Sequence, residues 1–287
     1  MENVIVSVII PTFRDWDKLA VCLNALSVQD FPKDEYEIIV VNNDADTTPP
    51  EPIRDYAKFI EEPAPGSYAA RNAGIKIAKG KVLAFTDSDC IPDKEWIKNS
   101  VMALRRFSVD RIAGHVELFY GSKRKSVAEV YEKAFAFNQR KNASEGFSVT
   151  ANLIAYRRIF DDVGFFNDDL MSGGDVEWNK RATQRGYSIG YCSDCVVKHP
   201  ARSSLLEIKK KSERVAGGLL GIRESIGMDF VIRSLLPPLR AARVLNENKM
   251  LTLKEKLIAF LVAYYLKANG LLFIFLIKSK LRKAPRV

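Results

Sequence analysis

Glycine-rich phosphate signatures are missing from this chain. Neither G-x-G-x-x-G nor G-x-x-x-x-G-K-[ST] occurs in its 287 residues, which removes the main sequence support for a Rossmann dinucleotide fold or a P-loop ATPase. Cysteine is sparse, at Cys22, Cys90, Cys192 and Cys195. Four cysteines allow three pairings, and a reducing cytosolic setting argues against all of them. Cys192-Ser193-Asp194-Cys195 is a C-x-x-C without a second pair to complete a zinc site, and it follows the strand-like 188–191 stretch rather than opening a helix as a redox motif does. Histidine is scarcer still, with two in the chain. The N-terminus lacks a basic segment followed by an apolar one, so no secretory signal is expected and the bulk of the protein should stay in the cytoplasm.

The length suffices for one large α/β domain and an appendage, and 47% hydrophobic with 28% charged residues is ordinary for a folded protein. The net charge of +9 is unevenly placed. Residues from 201 onward carry 18 Lys/Arg against 6 Asp/Glu, whereas residues 1–200 carry 26 against 29. Such asymmetry gives the tail an anionic partner, a membrane surface or a nucleic acid.

Val4–Ile10 is β-branched and apolar, a buried strand by composition and length. Lys18–Leu26 carries Leu19, Cys22, Leu23 and Leu26 on one helical stripe. Tyr36–Val41 predicts a second strand, Ala69–Ala78 a helix with Gly80 as its C′ residue, and Val82–Phe85 a third strand. Alternating strands and helices imply an α/β fold, a mostly parallel sheet with helices on both faces. Polar clusters follow each strand: Thr12 to Arg14, Asn42 to Asp44, Asp87 to Asp89. Ligands of open α/β sheets bind outside the carboxyl ends of the strands, so three clusters at one edge favour one site.

Asp87-Ser88-Asp89 is the sharpest of these. Read as a strand end, it puts two carboxylates on the same face, where they repel unless Mg²⁺ or Mn²⁺ lies between them. Read plainly, it is an Asp-rich turn. Further on, Ser172 to Trp178 opens a helix with Asp175 and Glu177 in its first turn, where acids also complement the helix dipole. Val196–Pro200 predicts a short strand ending at His199, a structural histidine or a neutral imidazole beside a metal.

Taken in order, these motifs resemble the family 2 glycosyltransferases, the large inverting group with the GT-A fold, of the bacterial cell-surface polysaccharide type. The resemblance covers roughly residues 4–200. It rests on Val6 to Phe13, Glu37 to Asp44, the G-x-x-x-A-R-N-x-G pattern of Gly66 to Gly74 with Arg71, Asp87-Ser88-Asp89, and Gly174-Asp175 before a helix carrying Arg181. Two departures stand out. The second strand ends Asn42-Asn43 where Asp-Asp or Asp-Asn is commoner, leaving Asn42 and Asp44 both open as the residue that reads the base. The family's Glu-Asp is here Gly174-Asp175, which leaves Asp175 as candidate base with Glu177 as runner-up.

The resemblance implies transfer of a sugar from a nucleoside-diphosphate donor, with a uridine donor the commonest, to an acceptor hydroxyl with inversion. Asp89 and His199 would hold a divalent cation, Mn²⁺ or Mg²⁺. Asp87 and Ser88 would join the nucleotide-sugar site, Asp87 binding ribose or completing the metal shell. Pro11, Thr12, Phe13 and Arg14 would floor the nucleobase and ribose, and Arg71 would offer a fixed positive fork. Arg202 and Lys209 to Lys211 follow the histidine and are read either as phosphate contacts or as a solvated face.

The expected organisation is a GT-A domain over residues 1–215 and a basic, apolar helical tail over 216–287. Phe230–Arg240 mixes apolar and cationic residues, as bilayer interfaces do. Residues 257–277 are long enough to span a membrane, but Lys267 at the centre costs roughly 2.5–3.5 kcal/mol and both flanks are basic. A helical hairpin breaking near Asn269-Gly270, or an interfacial helix pair, is therefore expected over a single crossing, with plain core packing against the catalytic domain as the alternative. This places the protein on the cytoplasmic face of an anionic inner membrane, peripheral or monotopic, with a lipid-linked glycan as acceptor. The competing readings are a nucleotidyltransferase, which normally carries a Gly-rich basic loop absent at Pro11 to Arg14, and a non-catalytic scaffold binding nucleic acid or membrane through the tail. Nucleic acid is disfavoured because the tail's cations are interleaved with Leu, Ile, Val and Phe.

Overall fold

The computed structural model describes residues 4–44, 46–170, 172–222 and 236–279. The strands are β1 Val6–Thr12, β2 Tyr36–Asn42, β3 Lys58–Glu61, β4 Val82–Phe85, β5 Ile91–Pro92, β6 Arg111–Phe119, β7 Leu153–Tyr156 and β8 Ile189–Pro200. They form one eight-stranded sheet in the order β3-β2-β1-β4-β7-β6-β8-β5. The helices are α1 Trp16–Ser27, α2 Ser67–Ile77, α3 Trp96–Arg106, α4 Val127–Phe135, α5 Gln139–Ser144, α6 Arg157–Val163, α7 Gly174–Gln184, α8 Leu205–Ile222, α9 Leu239–Glu247 and α10 Leu253–Lys278. The chain divides into two compact units: Met1–Glu117, Phe137–Asp169 and Gly173–His199 form one, and Leu118–Ala136, Leu170–Ser172 and Pro200–Val287 the other.

Strand β1 explains why the first unit is layered. All seven of its residues are buried, and alternation sends Val6, Val8 and Ile10 to one core and Ile9 to the other. The α1 stripe of Leu19, Cys22, Leu23 and Leu26 joins Trp96, Ile97 and Leu104 of α3 in the first core. The second core takes Ala70 and Ile75 of α2, Phe160 of α6 and Trp178 of α7, where the Phe160 and Trp178 rings stack at 4.1 Å. The sheet is mixed. β3, β2, β1 and β4 run parallel as expected, but β7 joins β4 and β6 antiparallel, and β5 joins β8 antiparallel.

Gly80 is not a helix cap. α2 ends at Ile77, and its cap Ala78 is extended. A Cβ at Gly80 would lie 2.5 Å from the Ser7 nitrogen and 2.7 Å from the Val6 carbonyl carbon, so the close passage of β1 requires glycine there. The strand-like 188–191 stretch and Val196–Pro200 are one strand, β8, with the C-x-x-C inside it. All four cysteines are buried free thiols. Cys195 donates to Cys192, which lowers the Cys192 thiol to about 7 and raises Cys195.

In the second unit α10 is a single helix of 26 residues, on the order of 39 Å long. It runs unbroken through Asn269-Gly270, so the expected hairpin does not form. Thr252 and Glu255 close a capping box at its start. Ala259, Val262, Leu266, Phe273 and Ile274 line a buried stripe facing Ala128 and Val130 of α4 and Ile208 and Ala216 of α8. Leu253, Leu257, Leu261, Tyr265, Leu272 and Phe275 are exposed. The Lys267 ammonium donates to the Leu236 carbonyl at 2.8 Å. Arg202 and Lys211, read as phosphate contacts, instead reach the buried Glu132 carboxylate at 3.0 and 3.4 Å. Residues 230–235 of the mixed apolar and cationic stretch, and Lys280, Arg282, Lys283 and Arg286, lie outside the described residues.

Candidate active site

Register gathers the site. Thr12 pairs with Asn42 and Ile9 with Phe85, so β1, β2 and β4 present their carboxyl ends side by side. Pro11, Thr12 and Asn42 are buried there, with Asp44 and Ser88 in the loops that follow. The Thr12 hydroxyl is buried without a hydrogen-bond partner among the described residues. Phe13 and Arg14 lie beyond the strand end and are exposed. Arg14 adopts φ 58, stacks its guanidinium 5.1 Å from the Phe13 ring and donates Nε to Asp44 Oδ2 at 2.7 Å.

The two asparagines stitch loops. Asn42 donates its amide to the Asp44 and Thr47 carbonyls at 2.8 and 2.6 Å and accepts from the Asp44 backbone at 3.1 Å. Asn43 donates to the Glu62 and Ala64 carbonyls at 2.7 Å each and accepts from Gly66 at 2.8 Å. A carboxylate could not donate to any of these four carbonyls, which explains why the strand ends in amides. Between Asn42 and Asp44, the Asn42 amide is committed to the loop.

Strand β4 stops at Phe85, so Asp87-Ser88-Asp89 lies in a turn closed by the Cys90 amide on the Asp87 carbonyl at 3.1 Å. The turn, not strand alternation, turns the acids toward one place. Strand β5 then brings in the histidine: Ile91 pairs with Lys198, which puts Cys90 beside His199. One ligand atom from each of Asp87, Asp89, Cys90 and His199 falls within 4.8 Å of the others, and His199 Nε2 is 3.7 Å from Asp89 Oδ1. The buried His199 ring packs 4.6 Å from Phe137. Two carboxylate oxygens and an imidazole nitrogen suit Mn²⁺, and the acids suit Mg²⁺. The C-x-x-C thiols do not belong to this group.

Arg71, 3% exposed on the α2 surface turned to the site, pairs its Nη2 with Asp87 and donates Nη1 to the Ser67 carbonyl at 3.3 Å. Its Nε has no partner among the described residues. Asp87 is thus already balanced by a fixed cation, whereas Asp89 faces the histidine.

Asp175 opens α7 and is half-buried. Its Oδ1 accepts from the Val176 amide at 2.9 Å and from the Tyr68 hydroxyl at 3.2 Å. Desolvation raises its carboxyl above the usual carboxylate value, against the opposing pull of these hydrogen bonds and of Arg71. Glu177 is held by Arg181 through both oxygens at 2.6 and 3.0 Å, and Arg181 also donates to the Val163 and Phe165 carbonyls. The two acids of that first turn therefore have different surroundings. Sequence reading missed Tyr68, Cys90 and Asn43. Tyr68 stands one turn before Arg71 in a motif already singled out, and that proximity was the available signal.

The family model for glycosyl transferase family 2 matches residues 7–164. Glycosyltransferase AglE of Haloferax volcanii is 37% identical over 225 residues, covering 76% of this chain and 73% of that protein. The dolichyl N-acetyl-alpha-D-glucosaminyl phosphate 3-beta-D-2,3-diacetamido-2,3-dideoxy-beta-D-glucuronosyltransferase of Methanococcus voltae is 23% identical, covering 72% and 70%. In fold, the chain is similar to the mannosyltransferase PcManGT of Pyrobaculum calidifontis in complex with GDP-Man and Mn²⁺, at TM-score 0.58 and 17% identity over 98% of this chain and 76% of that one. With more than half its length matched by the family model and a relative above a third identical across three quarters of it, the chain belongs to glycosyl transferase family 2 and is a glycosyltransferase.

Proposed function

We propose that the chain transfers a sugar, with inversion, from a nucleoside-diphosphate donor to a hydroxyl of a lipid-linked glycan at a membrane surface. The observation that carries the donor half is the convergence of Asp87, Asp89 and His199 at the carboxyl edge of β4. Asp89 and His199 would hold the divalent cation, which would supply Lewis-acid neutralisation of the leaving diphosphate. Arg71 pairs with Asp87 and fixes it for the ribose or the rim of the metal shell. The unpartnered Thr12 hydroxyl and Arg71 Nε give the donor two ready hydrogen-bonding groups. Phe13 and Arg14 floor the base, with Asp44 holding Arg14 in place. Asp175 takes the proton of the acceptor hydroxyl, since its partly desolvated carboxylate is a stronger base than an exposed one. The ion pair of Glu177 with Arg181 favours Asp175 over Glu177 for that role.

The acceptor half is supported by the lipid-phosphate acceptor in the name of the Methanococcus voltae relative and by α10. That helix is long and apolar enough to cross a membrane, with 22% of its most apolar window buried. Its buried stripe is engaged by α4 and α8, so it lies on the bilayer by its exposed stripe instead of crossing it. Lys254, Lys256 and the basic neighbours Arg240, Arg243 and Lys249 meet anionic headgroups.

The test is a panel of uridine, guanosine and thymidine diphosphate sugars with the purified chain in Mn²⁺, Mg²⁺ or EDTA. One donor should be hydrolysed and should raise the melting temperature, and EDTA should abolish both effects. Stabilisation indifferent to EDTA would remove the metal role. Co-sedimentation with anionic vesicles, zwitterionic vesicles or duplex DNA separates the tail's partners; retention by DNA alone overturns the membrane reading.

A further inference from the structure

Position 174 is a glycine where the family resemblance leads one to expect an acid, and the structure shows what took the space. A Cβ there would lie 2.8 Å from Cε2 and 2.9 Å from Cδ2 of the Tyr68 ring. Those are repulsive distances against a ring that is itself 7% exposed and packed 5.7 Å from Phe166. The same ring carries its hydroxyl to Asp175 Oδ1 at 3.2 Å. One turn further along α2, the Arg71 guanidinium lies 5.8 Å from the Tyr68 ring and pairs with Asp87.

We infer that Tyr68 is the positioning residue for Asp175: its ring fills the space vacated at Gly174, and its hydroxyl fixes which carboxylate oxygen stays free for the acceptor. The inference rests on the proposed role of Asp175 as base. One oxygen, Oδ1, takes both the Val176 amide and the Tyr68 hydroxyl, which leaves Oδ2, with the Thr150 amide nearby, as the oxygen to receive a proton. Because Tyr68 and Arg71 share one helical face of α2, the first turns of that helix join the donor acid Asp87 to the base Asp175. Gly174 and Tyr68 then form a pair in which each residue makes the other possible.

The groups reaching the Asp175 carboxyl are the Tyr68 hydroxyl and Arg71 guanidinium from α2, the Thr150 amide and the Val176 amide. Among the described side chains, only Tyr68 donates a hydrogen bond that Phe deletes without changing shape. That bond favours the ionised carboxyl, so deleting it moves the acid limb of the pH–kcat profile to higher pH. Tyr68→Phe should lower kcat about tenfold on the acid limb of the profile, with the deficit closing as pH rises to the plateau, and leave donor KM unchanged. Its melting temperature should match the wild type, since Phe keeps the ring packing. Gly174→Ala should cost a similar factor by displacing the ring, and in a Tyr68→Ala background it should cost nothing more.

Asp175→Asn is measured alongside. If wild type transfers sugar and Asp175→Asn does as well, the base assignment fails and takes the inference with it. If Asp175→Asn is inactive, yet Tyr68→Phe leaves the acid limb in place or Gly174→Ala and Tyr68→Ala lose activity additively, the Tyr68 inference alone is overturned.

Discussion

Replacing Asp175 by Asn isolates one atom. Oδ1 keeps its contacts to the Val176 amide at 2.9 Å and the Tyr68 hydroxyl at 3.2 Å, and only Oδ2 becomes an amide nitrogen. No cavity opens, and the Val176 amide and Tyr68 hydroxyl keep their acceptor, so the usual destabilising terms of a polar substitution are largely avoided. The fold should gain slightly. An acid whose folded value is raised by desolvation opposes folding above that value, and the amide removes the opposition at neutral pH. The midpoint in urea should therefore equal or exceed that of wild type. Catalysis behaves oppositely. A positioned general base contributes about 10²–10⁴ in rate, or roughly 3–5 kcal/mol of barrier, and the amide cannot accept the proton. Wild-type activity should be full above the folded value of Asp175 and fall as pH drops through it, at higher pH than for an ordinary aspartate. In the variant, transfer should drop 10²–10⁴-fold while the donor Kd by calorimetry stays put. Turnover within about threefold of wild type, or donor affinity lost together with rate, would refute the reasoning.

Asp89→Ala should lose the Mn²⁺-dependent part of nucleoside-diphosphate binding, by more than the roughly 10–100-fold that an outer-shell contact is worth, and calorimetry with and without Mn²⁺ reads it. Gly80→Ala sets a methyl 2.5 Å from the Ser7 backbone nitrogen, so urea unfolding should show a loss of about 3 kcal/mol; a loss below about 0.5 kcal/mol would mean that β1 yields easily. Glu132 is buried, which alone would raise its carboxyl, but Lys211 and Arg202 outweigh burial and hold it below its usual value. A depressed acid contributes stability above the unfolded value near 4.5 that is lost as pH falls through the folded value. Glu132→Gln should cost about 3 kcal/mol at pH 7 and flatten that acid dependence in urea melts.

The sequence made the parallel half of the sheet readable because buried parallel strands are nearly continuous apolar runs, and β1, β2 and β4 are such runs, broken only at Ser7 and Glu37 before their polar ends. It made Asp87, Asp89, Asp175 and His199 readable as candidates because each stands at an element boundary. Contacts across distant segments were hidden. β5 is two residues long, and only its pairing with β8 explains why His199 meets Cys90. Gly80 and Gly174 look like turn glycines, yet each is demanded by a neighbour far away in sequence: Ser7 for one, Tyr68 for the other. Asn269-Gly270 looked like a break, but tertiary packing on either side, at Leu266 and Phe273, outweighs the roughly 1 kcal/mol that a helical glycine costs. Asn42 and Asn43 hide their role because three of their carbonyl partners lie in loops whose course no local pattern announces.

The way the second unit is threaded bears on how the chain is made. Its α4 emerges from the ribosome before the last two strands and three helices of the first unit, but Ile208, Leu245, Val262 and Leu266, which cover Ala128 and Val130, arrive more than 70 residues later. During synthesis α4 therefore waits with its apolar face bare while the catalytic half completes. A chain cut after His199 would carry every residue of the candidate site and still hold that face open to water, prone to self-association for want of its own C-terminal helices.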